Sequence, residues 1–435
     1  MVVGNRSALL LGVLVLVGVV PVGAQAPKIT LREAIERANL IQPSVVSAGG
    51  TVRNAQARQR TATGAFLPSL TVSGSRSNNF SEGQQLDPST GQFTTSGTST
   101  GSAGASVSSS VDLFAGFRRT GEKKAANANR TAADANLSDA RYQQQLATTN
   151  QFFDVLAGEQ LLRVREASVR RAEEQLKVAV AKLHAGRGIR PDSLRSVVTL
   201  GTAQLQLVNA RAALATAEAN LGRLVGADSP VGAVDDSTLY ALLSPVDSAA
   251  LRQEAMDNAP SVKAAEASAA AANASVKVSR AGYWPTLSLS GSASMNGSSR
   301  NDYTFLNSRQ VSLGLSWPIF NRFQREQGIV NALTSLDNAE AQAADSRRAV
   351  LASLSAAIAA LEAARLTITI TQTSVLAAEE DLRVQQERYR LGAATIVDVL
   401  TSQEALNQAE VDAVTARFDY VRARAAISAL IGRTL

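Results

Sequence analysis

Residues 283–320 read YWPTLSLSGSASMNGSSRNDYTFLNSRQVSLGLSWPIF. After Pro285, apolar side chains fall on odd positions and mostly hydroxyl side chains on even positions, and the same alternation returns over the last ten residues. A period of two is typical of extended strands with one apolar face and one wet face. The stretch therefore predicts a β-hairpin over about 283–320, with a loop at about 296–307.

A second segment, residues 66–114, repeats this pattern behind Pro68, with a polar loop expected from about Asn78 to Thr100. Nearly all residues on the wet face of both hairpins are Ser, Thr or Gly. A soluble β-sandwich rarely has such a face, whereas a membrane β-barrel has a wet lumen and an apolar exterior over strands of about ten residues. Both hairpins are thus predicted to be barrel strands.

Long Ala-rich helices are predicted around the hairpins. Short helices are expected at 31–41 and 43–64, and the proline-free run 116–184 would be about 100 Å long as one helix. Beyond it, Pro191 suits the first turn of a further helix whose small and apolar residues recur in steps of three and four. That spacing predicts a coiled-coil seam.

The second half of the chain repeats the first. Beyond the hairpins the match runs without gaps, as in Gly186 and Gly392, at an offset of 392 − 186 = 206 residues. The predicted organisation begins with a signal peptide at 1–26. A first repeat at 27–226 contains a β-hairpin at about 66–114 and a helical hairpin at about 116–226. After a connector at 227–250, a second repeat at 251–435 contains a β-hairpin at about 283–320 and a helical hairpin at about 322–432.

Composition argues against several classes of function. The sequence has no Cys and one His, which excludes disulfides and makes a metal centre a poor explanation, so we expect no metal and no cofactor. The Lys and Arg residues behind the net charge of +6 are dispersed, which argues against nucleic acid as a partner. No nucleophile elbow or phosphate loop occurs, so we do not expect an enzyme.

The first residues predict export. An apolar run from Ala8 to Val20 is followed by Ala24-Gln25-Ala26, which suits a signal peptide and is too short to span a bilayer. No other window holds twenty apolar residues, so no transmembrane helix is expected. Four strands per chain cannot close a barrel, and open strand edges are not tolerated in lipid. We therefore expect an oligomer, in which two chains would give eight strands and three would give twelve.

Aromatic residues cluster where the predicted strands end. Such residues form the interfacial girdle of membrane barrels. They also suit packing of the joint between strand and helix, and both interpretations can hold together. The residues concerned are Phe66, Tyr283, Trp284, Trp317 and Phe320.

The turn between the last two helices reads YRLGAATIVDVL over residues 389–400. Gly392 suits a left-handed helix end, and Thr395 with Asp398 has capping-box spacing. This turn, the duplicated plan and the two strand-opening prolines together resemble the TolC family of outer-membrane efflux proteins over essentially the whole mature chain. The resemblance implies a homotrimer with a twelve-stranded barrel in the outer membrane of a Gram-negative-type cell. An α-helical coiled-coil tube would continue it into the periplasm and dock on a periplasmic adaptor and an inner-membrane transporter.

The resemblance also implies a gate at the helix tips. Asp192 and Tyr389 match a hydrogen-bonded pair, Gln175 matches a polar partner and Asp398 matches a constricting acid. Two positions depart from the family pattern, because Ala394 stands where an arginine can sit and Thr401 where a second acid can sit. The alternative for both aspartates is simple stabilisation of a helix N-terminus. The residues expected to face the adaptor are Gly186, Arg187, Arg190, Leu391 and Gly392.

The function these expectations favour is a passive exit duct that carries small molecules, such as drugs and toxic compounds, from a three-part exporter. Protein export driven by an ATP-hydrolysing transporter, as in type I secretion, is the main alternative, and the residues do not separate the two. A trimeric coiled-coil surface adhesin would also show long Ala-rich helices. It predicts one terminal barrel segment rather than two internal hairpins at matched positions.

Overall fold

The computed structural model describes residues 26–89, 91–240 and 247–433. Except for Ala26, the predicted signal peptide lies outside the described residues. In chain order the elements are β1 Lys28–Ile29, α1 Leu31–Ile41, α2 Pro43–Gly64, β2 Ser69–Leu86, β3 Phe93–Ala115, α3 Arg118–His184, α4 Arg190–Val225, β4 Gly232–Ala233, α5 Ser248–Asn258, α6 Pro260–Arg280, β5 Thr286–Ser298, β6 Leu306–Ser316, α7 Gln324–Leu391 and α8 Ile396–Ile431.

The two hairpins form one antiparallel sheet in the order β2-β3-β5-β6. The hairpins are joined through β3 and β5, where Val107 lies opposite Ala293. Within the described ranges, β2 and β6 each have one edge without a partner strand. The sheet is therefore an open piece of a larger structure.

Hydroxyl groups pair across neighbouring strands on the wet face of the sheet. The Oγ atoms of Ser73 and Ser106 are 2.7 Å apart, and those of Ser290 and Ser312 are also 2.7 Å apart. Similar pairs join Ser69 to Ser110 at 2.9 Å and Ser77 to Ser102 at 2.8 Å. On the other face Leu70 and Val72 are 73% and 71% exposed, as expected for side chains that contact lipid.

The first predicted polar loop is much shorter in the structure, and its expected span from about Asn78 to Thr100 is wrong. The ladder continues through Asn79 opposite Thr100 to Leu86 opposite Phe93. In the second hairpin β5 ends at Ser298 and β6 begins at Leu306, close to the predicted loop at about 296–307. A polar composition indicates only that solvent surrounds the chain. Ser, Thr and Gln in an antiparallel pair keep their backbone hydrogen bonds in water. The strands therefore need not end at the membrane boundary.

The helices form a layer that extends from one end of the sheet. Helices α3 and α7 are each about 100 Å long. Near the sheet the lateral order is α2-α3-α6-α7, and at the far end it is α4-α3-α8-α7. Equivalent helices in the two halves begin at the same offset, since 324 − 118 and 396 − 190 both equal 206.

Two apolar clusters hold the helices together midway along the layer. One packs Phe152, Phe153 and Phe418 against the short parallel pair of β1 and β4. The other packs Leu354 of α7 against Leu251 of α5 and Ile427 of α8. Because the chain has few aromatics, these clusters place its bulkiest buried side chains where the connector and N-terminus wrap the helices.

Apolar stripes remain open on the two outermost helices of the far end. On α4 they lie opposite the residues that pack on α3, at Leu194, Val197, Val198, Leu205 and Val208. On α7 they include Leu366, Ile370 and Val384.

The composition of α7 departs from expectation. An 18-residue window of it has a mean hydropathy of 1.6, so one helix is long and apolar enough to cross a membrane, where none was expected. Within the chain, 33% of that window is buried. Helix α7 is apolar on two sides, one of which packs on α5 and α8 while the other is the open stripe.

Candidate functional site

Two tight turns form the end of the helical layer farthest from the sheet. Between α3 and α4, Gly186 has a φ of 67°, and the Arg187 N–H donates to the Lys182 carbonyl at 2.9 Å. Between α7 and α8, Gly392 has a φ of 81°, and the Ala393 N–H donates to the Arg388 carbonyl at 2.7 Å. A left-handed φ is readily adopted only by glycine, so these two glycines predict both helix ends from the sequence.

Asp398 caps the N-terminus of α8. Its Oδ2 accepts from the Thr395 N–H at 2.8 Å and from the Thr395 hydroxyl at 2.7 Å, while the Asp398 N–H donates to the Thr395 Oγ1 at 3.3 Å. These bonds from Thr395 hold the pKa of the Asp398 carboxyl below its usual value. The predicted capping box is confirmed. The carboxylate is exposed, and its role as a constricting acid stays a prediction.

Tyr389 lies near the end of α7 and is 4% exposed. The Lys182 ammonium lies 3.7 Å from the centre of its ring and also donates to the Tyr389 carbonyl. Burial lowers the pKa of Lys182, although the charge of Asp192 acts in the opposite direction. Burial and the same carboxylate raise the pKa of Tyr389.

The structure does not form the hydrogen bond expected between Asp192 and Tyr389. The Tyr389 hydroxyl is buried and has no partner among the described residues. Asp192 lies in the first turn of α4, half-buried and close enough to affect both pKa values. The link from α3 to the end of α7 is Lys182 instead.

Gln175 of α3 and Gln403 of α8 are buried where these helices pack. The Gln175 Nε2 and both amide atoms of Gln403 lack a hydrogen-bond partner in the described part of the chain. Buried amides without partners are costly, so this contact is weaker than one closed by hydrogen bonds. The polar-partner role of Gln175 remains a prediction.

Sequence reasoning missed a charged contact farther from the tips. Arg171 donates to both Glu410 carboxylate oxygens, at 3.0 and 2.5 Å, and to the Asn407 Oδ1 at 2.8 Å. It joins α3 to α8, and no spacing in the sequence links residues so far apart. The sequence did indicate a basic residue near the tip at the position of Lys182, because Arg388 occupies the equivalent position of the second repeat, 388 − 182 = 206 residues later.

The residues predicted to face an adaptor are brought to one end of the molecule. The contact of Lys182 with Tyr389 places the two turns side by side. Leu391 is 82% exposed, and Gly186, Arg187, Arg190 and Gly392 are exposed as well. An exposed leucine in one turn and exposed arginines in the neighbouring turn offer a partner both apolar area and charge.

The aromatic residues expected at the membrane boundary pack the joint between sheet and helices and remain partly exposed. The Trp317 Nε1 donates to the Tyr283 carbonyl at 3.2 Å, and Arg325 lies 4.0 Å above the Tyr283 ring. Trp284 meets Phe117 edge to face at 5.7 Å. Arg119 covers Phe66, and Phe320 packs on Phe323. Packing and exposure coexist, so the girdle role stays a prediction.

A family model described as outer membrane efflux protein matches residues 34–227 and 251–433. The chain belongs to this family. Relatives include the outer membrane efflux protein BepC of Brucella suis, 27% identical over 74% of this chain and 70% of that protein. The pyoverdine export outer membrane protein OpmQ of Pseudomonas aeruginosa is 27% identical over 92% of this chain and 85% of its own length.

Solved structures of similar fold include VceC of Vibrio cholerae, with a TM-score of 0.74 at 17% identity over 93% of this chain and 96% of that one. The open state of MtrE of Neisseria gonorrhoeae matches with a TM-score of 0.73 at 19% identity, over 93% and 89% of the two chains. The efflux protein is therefore an outer-membrane channel with a helical barrel in the periplasm. Its four strands are a one-chain share of a trimeric β-barrel, which confirms the predicted fold class, family and location.

Proposed function

We propose that three copies of this efflux protein form a passive exit duct for small molecules. In this proposal the duct receives its cargo from a periplasmic adaptor and an inner-membrane pump. The observation that carries it is the pair of open boundaries on each chain. Among the described residues, the unpaired edges of β2 and β6, and the open stripes of α4 and α7, lie on opposite sides of the chain. Only a closed head-to-tail ring covers all of them at once.

The names of relatives support small molecules as cargo. OpmQ is named for pyoverdine export, and CzcC of Cupriavidus metallidurans, 26% identical over 74% of this chain and 76% of its own length, for cobalt, zinc and cadmium resistance. The second candidate is protein secretion. It is favoured by the alkaline protease secretion protein AprF of Pseudomonas aeruginosa, 24% identical over 67% of this chain and 63% of that protein.

The tips of α3, α4, α7 and α8 are the proposed gate. Three copies of Asp398 around a narrow mouth would favour cations and repel anions. Lys182 would hold the end of α7 against α3, and Gln175 and Gln403, whose amides lack partners among the described residues, would let α3 and α8 separate at low cost. The adaptor would then need to break only a few strong contacts to open the gate.

Cross-linking in cells tests the adaptor interface. Because the sequence has no Cys, a single Cys at Arg187 or at Leu391 gives a unique reactive site. We expect both variants to capture a periplasmic adaptor, identified by mass spectrometry. Asn331→Cys, exposed on α7 close to the sheet, is the matched control and should capture none. Equal capture at all three positions, or none at the tips, would contradict docking there.

Deletion of the gene in its host tests the cargo. A small-molecule duct predicts increased susceptibility to small toxic compounds with an unchanged set of secreted proteins. A protein-secretion duct predicts the reverse. Re-expression of the wild-type chain should restore the lost phenotype.

A further inference from the structure

A basic groove opens between the C-terminal part of α2 and the first turns of α3, just below the sheet. Its volume is about 910 Å³. Arg60, Lys123 and Arg130 line its walls, and Phe66 and Leu67 lie at its sheet end. No acidic side chain is among the lining residues of this groove.

The positive charge in the groove is poorly neutralised. Across the described ranges, Arg60 and Lys123 form no ion pair and no side-chain hydrogen bond. Arg130 donates to the Gln59 Oε1 at 3.0 Å, and its Nε lies 3.8 Å from the Asp134 carboxylate. A concave site with cations and no lining acid attracts anions.

The groove lies at the depth of lipid headgroups. Leu67 is 70% exposed and precedes by three residues Leu70, an apolar residue of the exposed sheet face. Arg60 lies four residues before the end of α2, and Lys123 five residues after the start of α3. At 1.5 Å per residue both lie about 6–8 Å from the ends of their helices that join the sheet. A headgroup layer extends roughly 5–7 Å beyond the hydrocarbon.

The groove also opens on the outer side of the helical layer. Helix α3 meets α6 at Gly121, next to Val278, and meets α2 at Ala133 and Leu137. With about 100° per residue these two contact lines are roughly 140° apart on one side of α3 and 220° on the other. In a closed ring of helices the wider sector faces outward, and Lys123 and Arg130 lie in it.

We propose that this groove binds one anionic phospholipid of the periplasmic leaflet. The headgroup phosphate would lie between Arg60 and Lys123, and an acyl chain would follow Phe66 and Leu67 towards the hydrocarbon. The apolar end distinguishes a lipid from a free phosphate, which would gain nothing from those two side chains. A trimer would hold three such lipids, one per chain.

Native mass spectrometry of the full-length trimer in non-ionic detergent tests this proposal, with phosphatidylglycerol as the probe. We expect the wild-type trimer to bind up to three molecules and to bind zwitterionic phosphatidylcholine about tenfold more weakly. The Arg60→Gln/Lys123→Gln variant should bind phosphatidylglycerol about thirtyfold more weakly, or about fivefold per cation. If the double variant does not assemble, each single variant tests the same site and should bind phosphatidylglycerol about fivefold more weakly.

The matched control is Arg58→Gln/Lys124→Gln, which removes the same charge from exposed positions of the same helices outside the groove lining. We expect it to bind phosphatidylglycerol within twofold of the wild type. Equal weakening in both double variants would show a diffuse charge effect and overturn the site. Displacement of the lipid by excess inorganic phosphate would assign the groove to a soluble anion and overturn it as well.

Discussion

At the scale of single residues, the contact between Lys182 and Tyr389 makes two substitutions differ in outcome. Tyr389→Phe should leave channel opening unchanged, because the hydroxyl has no hydrogen-bond partner in the described structure. Lys182→Met keeps the apolar stem but removes the charge over the ring, a contact of about 1 kcal/mol. We expect it to raise the open probability about fivefold in planar bilayers.

Lys177→Met is the control for Lys182, since Lys177 lies on the same helix and is 70% exposed beside Glu174. It should not change the open probability. If Tyr389→Phe opened the channel as much as Lys182→Met, the hydroxyl rather than the ammonium would be the group that holds the tip closed.

Asp398 gives a prediction about pH. Because its folded pKa lies below the usual value, the carboxylate stays charged as pH falls from 7 to 5. Its contribution to stability is present above the unfolded pKa of about 3.9 and is lost only as pH falls through the lower folded pKa. Cation selectivity, measured as a reversal potential in a salt gradient, should therefore be constant between pH 7 and 5.

The Asp398→Asn variant should lose part of that selectivity at both pH values. Asp412→Asn, an exposed carboxylate farther along α8, serves as the control. Unchanged selectivity in Asp398→Asn would remove Asp398 from the constriction and leave only its role at the helix N-terminus.

At the scale of elements, two glycines with left-handed φ should respond very differently to substitution. Gly186→Ala meets no atom of the described residues within 4 Å, so it should cost only the strain of a left-handed alanine, about 1 kcal/mol. Gly116→Ala places its Cβ 2.6 Å from the Trp284 Cβ and 2.8 Å from the Ala281 carbonyl. Overpacking there should raise the cost to about 3 kcal/mol.

Thermal unfolding, followed by the helical circular dichroism signal in detergent, compares the two glycine variants. A lower unfolding temperature for Gly186→Ala than for Gly116→Ala would contradict this expectation. It would show that the joint between sheet and helix accommodates the added methyl group despite its close contacts.

The Arg171 contact should matter for the packing of α3 on α8. Arg171→Met leaves Glu410 without its bidentate partner, and both side chains are only 21% and 17% exposed. We expect a loss of about 2 kcal/mol, less than for a fully buried pair. The rates of amide hydrogen exchange along α8 should increase by the factor that corresponds to this loss of free energy.

Arg163→Met provides the matched control. Arg163 is 67% exposed, and its Nη2 lies 3.8 Å from Glu159, so its removal should change stability by no more than about 0.5 kcal/mol. Equal exchange rates in both variants would show that the Arg171 pair does not hold the two helices together.

The elements also show how far the sequence could predict the structure. Period-two alternation located the sheet, and left-handed glycines with a capping box located both tip turns, since these signals are local. The length of β2 and β3 was missed because polarity does not mark a strand end in water. The Arg171 contact was missed because it joins residues more than 200 positions apart, and the Lys182 contact was missed although Arg388 places a basic residue at the equivalent position of the second repeat.

At the scale of the whole molecule, the open stripe on α4 predicts how the trimer can be broken. Leu205→Glu places a charge on the stripe, and we expect a soluble or detergent-bound monomer with intact helices. Thr202→Glu adds the same charge on the same helix to the side of the stripe and should leave the trimer intact. Size-exclusion chromatography with light scattering measures both, and a trimeric Leu205→Glu would show that α4 does not face a neighbouring chain.

The serine pairs on the wet face of the sheet have a consequence for cargo. In each of these four pairs one hydroxyl donates to the other, so these side chains offer a passing solute no charge and only part of their hydrogen-bonding capacity. Such a lining discriminates only weakly between solutes. Choice of cargo must then be made before the solute reaches the barrel, and a cell could change what it expels by exchanging the pump while keeping the same exit.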